Sequence, residues 1–202
     1  MNYWMKRRLL IQTWNNCMSK IIIGFVGQIA CGKEAAKKYL AQNYNTQDCK
    51  FSTSLRDVLK RLDIEVSREN MQKLSTVLRG AFGEDLLAKV IAADASKLSS
   101  DIVIIDGARR MSDIKYLKDL PNFYLIKVEV DAKPRYERMK ARNENVGDGE
   151  KTFEQFLKDQ DNEAEKGIPE VMDFAKLSIN NNGTLDELYY QTDKIIKDIL
   201  KK

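Results

Sequence analysis

From Lys20 onward, short apolar runs alternate with longer stretches in which apolar residues recur every three to four positions. Unbroken apolar runs suit strands buried on both faces, and the longer period suits helices, so the pattern predicts a parallel sheet covered by helices on both sides. Strands are expected at Ile21 to Val26, Cys49 to Ser52, Ile102 to Asp106, Phe123 to Val130 and Leu177 to Asn180. Helices are expected at Lys33 to Asn43, Ser54 to Leu62, Arg68 to Gly80, Glu84 to Leu98, Ser112 to Leu117, Pro134 to Arg142, Phe153 to Lys166 and Leu185 to Leu200. Thr152 with Gln155 and Thr184 with Glu187 have capping-box spacing and mark two helix starts. The span from Ser54 to Leu98 is several helices long where a simple crossover needs one. Asn143 to Lys151 is a polar, glycine-containing loop ahead of an extra helix. Both read as lobes inserted into one α/β core.

Composition narrows the chemistry. The 202 residues include no histidine, which removes imidazole catalysis and histidine-ligated zinc. Three cysteines, without CxxC spacing, suggest neither a disulfide framework nor a thiolate metal site and point to a reducing, cytoplasmic setting. The net charge of +4 is local: residues 1 to 20 carry Lys6, Arg7, Arg8 and Lys20 and no acid, so the remainder is neutral. No extended nucleic-acid interface is expected from such a body. No apolar run reaches the ~20 residues that span a bilayer, so no membrane association is expected. Residues 1–19 read as a basic extension ahead of a domain beginning near residue 20, with Met18 as a second plausible start, or as an organellar leader that is short of serine.

The strongest motif is Gly27, Gln28, Ile29, Ala30, Cys31, Gly32 and Lys33, followed by Glu34 and Ala35. It follows an apolar strand and leads into a helix, the setting of a phosphate-binding P-loop. Backbone N–H groups curl around the β-phosphate of a nucleotide, Lys33 adds a point charge near the β and γ oxygens, and the helix N-terminus contributes partial positive charge. The expected architecture is therefore the three-layer P-loop NTPase fold, with ATP as ligand. Glu34 stands where Ser or Thr normally puts a hydroxyl on Mg²⁺. It either supplies a hard oxygen ligand itself, or marks weaker metal and nucleotide binding or a protein that binds without turning over. Asp106 ends the strand Ile102 to Asp106 and is the second candidate for the metal's surroundings.

Together these residues resemble the adenylate-kinase-like, nucleoside monophosphate kinase branch of the P-loop kinases, from about Lys20 to the C-terminus. Asp106-Gly-Ala-Arg109-Arg110 resembles that family's Asp-Gly-x-Pro-Arg segment. Phe51-Ser52-Thr53-Ser54-Leu55-Arg56 resembles the segment that opens its acceptor lobe, and also a stretch of deoxynucleoside monophosphate kinases. The helix Pro134 to Arg142 resembles the arginine-bearing helix leading into the lid, and Asn181-Asn182-Gly183 resembles the loop that meets the adenine ring. The whole chain is most similar to a poorly characterised, mainly archaeal group of such proteins; dephospho-CoA kinase is a further likeness.

The resemblance implies an acceptor lobe at about 54–98 and a lid at about 143–166. It implies catalytic roles for Lys33, Asp106, Arg138 and Arg142, with Mg²⁺ near Glu34 and Asp106. It places Asn182 and Gly183 at the nucleotide, and Ser52, Thr53, Arg56, Arg79 and Arg109 or Arg110 at the acceptor. Arg135 shares a helix face with Arg138 and has Asp131 and Glu137 as nearby partners.

Phosphoryl transfer relies on positioning and charge neutralisation, so a site without histidine suits it. A hydroxyl acceptor benefits from a carboxylate base, and residues 51–56 contain none, although Asp57 is close. That favours a (deoxy)nucleoside monophosphate or another phosphomonoester. Hydroxyl phosphorylation of the dephospho-CoA kinase type, and an ATPase or nucleotide-dependent regulator with a macromolecular partner, remain the alternatives.

Overall fold

The computed structural model describes residues 20–143, 149–161 and 165–201. The basic leader at 1–19 lies outside the described residues, as do 144–148 and 162–164 of the expected lid.

Five parallel strands form one sheet in the order β2-β3-β1-β4-β5. They are β1 (Ile21–Val26), β2 (Thr46–Lys50), β3 (Ile102–Asp106), β4 (Phe123–Glu129) and β5 (Leu177–Asn180). The helices are α1 (Lys33–Asn43), α2 (Phe51–Arg61), α3 (Arg68–Phe82), α4 (Leu86–Lys97), α5 (Ala132–Arg142), α6 (Phe153–Lys158), α7 (Ile168–Phe174) and α8 (Leu185–Leu200). Side chains of successive strand residues point to opposite faces, and both faces are apolar. On one face Ile22, Val26, Val103, Ile105 and Leu125 pack with Leu55, Leu87, Ile91, Ile168 and Val171 from α2, α4 and α7. On the other, Ile23, Phe25, Ile104, Ile126 and Ile179 pack with Ala36, Leu40, Leu188 and Ile196 from α1 and α8. Tyr39 and Tyr189 stack with ring centroids 4.8 Å apart and join those two helices.

The strand order sets the position of the chemistry. The chain leaves β1 for β2, two places away on one side, then returns past β1 to β4 on the other. A crevice opens where the order reverses, at the carboxyl ends of the strands. In register, Phe25 of β1 and Lys50 of β2 both pair with Asp106 of β3, so Gly27 and Asp106 emerge side by side.

Both capping boxes form, at Thr152 and at Thr184. Four elements differ from the sequence expectation. The second strand lies at Thr46–Lys50 rather than Cys49 to Ser52: it is an edge strand with only Cys49 buried, so it has almost no apolar signal, and Phe51 and Ser52 already belong to α2. Ser112 to Leu117 forms turns instead of a helix, although Ile114 and Leu117 are buried as helical spacing implies. The helix expected to reach Lys166 stops at Lys158 and passes into a 3₁₀ turn at Asp159–Asp161. Finally, α7 was not expected; Pro169 in its first turn was the available signal. Among the described residues, no helix is long and apolar enough to cross a membrane.

Candidate nucleotide and acceptor site

The loop between β1 and α1 is shaped by two glycines. A Cβ on Gly27 would stand 2.6 Å from both the Cys31 Sγ and the Val128 carbonyl oxygen. Gly32 has φ +103°, a conformation L side chains rarely adopt, and a Cβ there would collide with the Asn181 side-chain amide. Asn181, buried just past β5, donates from Nδ2 to the Cys31 carbonyl at 2.8 Å. The Lys33 ammonium donates to the carbonyls of Gly27 and Gln28 within the loop.

One turn further along α1, Lys37 is buried and its Nζ lies 2.6 Å from Glu34 Oε2 and 2.6 Å from Asp106 Oδ2. Burial alone would lower the Lys37 pKa; hydrogen bonds and charge from Asp106 and Glu34 outweigh it and raise the pKa. The two carboxylates expected around Mg²⁺ are hard oxygen donors of the right kind. As arranged, though, an ammonium holds the space between them, and the pair does not fit a divalent ion. Among the described residues, no cluster of three or more His, Cys, Asp or Glu has the makings of a metal site.

A cleft of about 720 Å³ opens over the loop. Gly27, Ile29, Ala30, Cys31, Gly32, Lys33, Glu34 and Ala35 line it, together with Asp106, Arg138, Arg142 and Gly183. Arg138 donates to the Asn181 carbonyl at 2.9 Å, and its other terminal nitrogen is buried with no hydrogen-bond partner among the described residues. A second cleft of about 360 Å³ lies between α2, α3 and the end of β3. Phe51, Leu55, Met71 and Leu87 give it apolar walls, and Ser52, Gln72, Ser75 and Thr76 add hydroxyl and amide groups. Arg68, Asp106, Gly107 and Arg109 line both clefts.

Several expected residues stand elsewhere or do something else. Thr53 and Arg56 are exposed and line neither cleft, because α2 turns Phe51, Leu55 and Leu59 inward and these two outward. Arg79 lines the second cleft but is buried, with one terminal nitrogen 2.6 Å from Asp113 Oδ1 and the other donating to the Glu84 carbonyl. The remaining Asp113 oxygen accepts from the backbone N–H groups of Arg109 and Arg110, so this buried carboxylate shapes the tandem-arginine turn. Arg110 lines only the second cleft and pairs with Glu84 at 3.1 Å; Arg109 pairs with Glu165 at 3.2 Å. Asn182 accepts from the Asp131 N–H and stays outside the first cleft; its neighbour Asn181 makes the loop contact. Gln28 points away from the cleft and donates to Gln160 Oε1 at 2.7 Å. Arg135 pairs with neither Asp131 nor Glu137: it is buried over the Phe156 ring and donates to the Val130 carbonyl and to Gln160. Sequence reasoning missed Lys37 and Arg68, since a lone lysine or arginine on a helix reads as a solvated face.

The chain is similar to archaeal UPF0200 proteins. It is 28% identical over 160 residues to the one from Thermococcus kodakarensis, covering 75% of this chain and 85% of that one. To the one from Staphylothermus marinus it is 25% identical over 185 residues, covering 92% and 96%. The resemblance to a mainly archaeal P-loop kinase-like group holds. A shikimate kinase from Bacteroides thetaiotaomicron superposes with a TM-score of 0.59 at 14% identity, over 90% of this chain and 99% of that one. The architecture is that of the P-loop kinases. No protein-family model matches the chain.

Proposed function

We propose that the protein is an ATP-dependent phosphotransferase that moves the γ-phosphate of ATP to a small phosphorylated acceptor, with (deoxy)nucleoside monophosphates as the favoured class. The observation that carries this reading is the shared wall: the phosphate-loop cleft and the second cleft meet at Arg68, Asp106, Gly107 and Arg109. Two substrates lodged there would have their phosphates facing each other across that wall, which is the positioning phosphoryl transfer requires. Arg68, with no hydrogen bond or ion pair among the described residues, is a cation available to both. The unpartnered Arg138 nitrogen beside the first cleft is a donor suited to a phosphate oxygen. The divalent ion would arrive on the nucleotide's own phosphates.

A phosphate acceptor is favoured over a hydroxyl because the carboxylate at the junction, Asp106, already has its Oδ2 engaged by the Lys37 ammonium at 2.6 Å, where a hydroxyl acceptor would need a carboxylate turned toward it. The same engagement of Glu34 and Asp106 supports a second reading, a P-loop ATPase or regulator whose nucleotide turnover is governed by a macromolecular partner. Assays of ADP formation against a panel of ribo- and deoxyribonucleoside monophosphates plus dephospho-CoA, with and without acceptor, separate the two. Acceptor-dependent ADP is expected with at least one monophosphate; hydrolysis indifferent to every acceptor would sink the kinase reading.

A further inference from the structure

Lys37 is an unusual lysine. Its neighbours on the inner side of α1 are Ala36 and Leu40, both fully buried, and it is itself only 3% exposed. A lysine threads through such a place only when its ammonium finds anions at the far end, because burying an unpaired charge is costly. Here it finds two, three residues back on its own helix and at the tip of β3. The arms differ: the Asp106 side chain is 22% exposed and the Glu34 side chain 59%, so Asp106 is the anchored partner and Glu34 the outer one.

The consequence is electrostatic. Glu34 and Asp106 line the cleft that carries the phosphate loop. Two bare carboxylates there would repel a nucleotide's phosphates unless a divalent ion stood between. With Lys37 in place, the two carboxylates and one ammonium leave a single net negative charge, while Lys33 on the adjoining turn bonds loop carbonyls and is not spent on either carboxylate. The glutamate at the hydroxyl position of the loop and the lysine three residues later thus compensate each other.

We propose that Lys37 is a resident counter-cation of the phosphate loop, holding Glu34 and Asp106 so that a nucleotide's phosphates bind without a divalent ion. This rests on the nucleotide-binding part of the reading above and is independent of the acceptor. The test is titration of the full chain with a fluorescent N-methylanthraniloyl-ADP, once in EDTA and once in millimolar MgCl₂, for the wild type, Lys37→Met, Lys37→Arg and the double variant Glu34→Gln with Lys37→Met. The wild type is expected to bind with affinities within about threefold in the two buffers. Lys37→Met is expected to bind about tenfold or more weakly in EDTA than in MgCl₂. Lys37→Arg, which keeps the charge, and the double variant, which removes one charge of each sign, are expected to return most of the metal-free affinity. A merely structural ion pair would lower the melting temperature of Lys37→Met without changing the ratio of affinities between buffers, and that result overturns the proposal. So does a wild type that needs Mg²⁺ as strongly as Lys37→Met. Absence of binding in both buffers by a folded wild type overturns the nucleotide reading itself, and this proposal with it.

Discussion

Asn181 and Cys31 stand 150 positions apart in sequence, and a 2.8 Å hydrogen bond joins the Asn181 amide to the Cys31 carbonyl. The bond ties the end of β5 to the middle of the phosphate loop, while the Asn181 carbonyl accepts from Arg138 on α5. One buried residue therefore connects the loop, the outer strand and the arginine helix. Asn181→Ala leaves the Cys31 carbonyl without its donor and is expected to cost about 1–2 kcal/mol of stability. Nucleotide affinity should fall severalfold as the loop loses its strap. Urea denaturation and fluorescent-nucleotide titration check the two effects; unchanged affinity would show that the loop holds its shape without Asn181.

Lys33 is expected to matter for the reaction and little for the fold. Its ammonium bonds the Gly27 and Gln28 carbonyls and the Cys31 Sγ, all within its own loop, so Lys33→Ala should leave the thermal transition within a few degrees of the wild type. Phosphoryl transfer in the coupled assay should drop by about two orders of magnitude or more, the scale of losing a group that meets transition-state charge. Unchanged turnover would take the phosphate loop out of the reaction.

Arg79 and Arg56 are expected to behave in opposite ways. Removing one partner of the buried Arg79–Asp113 pair strands a charge, so Arg79→Met should cost about 3–5 kcal/mol and lower the melting temperature by roughly 10 °C. Arg56 is exposed and lines neither cleft, so Arg56→Ala should change stability by less than about 0.5 kcal/mol. Its acceptor KM should stay within about twofold of the wild type. A large rise in KM for Arg56→Ala would mean that α2 moves when the acceptor binds.

Asp85 makes stability fall in acid. The Lys115 ammonium 2.8 Å away, then the Tyr116 hydroxyl and the Lys89 ammonium, hold its carboxyl well below the usual range, against the opposing effect of burial. A carboxylate whose pKa is lower folded than unfolded contributes stability that is fully present above its unfolded value, about 3.9, and is lost as pH falls through the folded one. Urea midpoints measured from pH 7 to pH 3 should fall for the wild type. For Asp85→Asn they should start lower and fall less; parallel curves would place the acid sensitivity elsewhere.

The sheet was legible because β1 and β3 are buried almost from end to end and β4 opens on the apolar run Phe123 to Ile126, whereas the edge strand β2 has one buried residue, Cys49, and almost no apolar signal. The phosphate loop was legible because its glycines answer to backbone geometry that no other residue supplies. Side-chain partnerships between elements were another matter. Helical spacing puts Lys37 next to Glu34 but says nothing of Asp106, which arrives from β3 through the sheet register. Likewise Arg79 and Asp113 meet only because α3 folds over the turn after β3. The resemblance implies arginines at the acceptor by their position along the chain, and the direction of each helix face decides which of them reach the clefts.

The wall of Arg68, Asp106, Gly107 and Arg109 that separates and joins the two clefts limits how such a protein can be retuned. A change in any of those four alters both chambers at once, so they are poor places to adjust taste for one ligand. Met71, Gln72, Ser75 and Thr76 line only the second chamber, on successive turns of α3. On the phosphotransferase reading, new acceptors can be explored along that single helical face, with the first chamber left as it is.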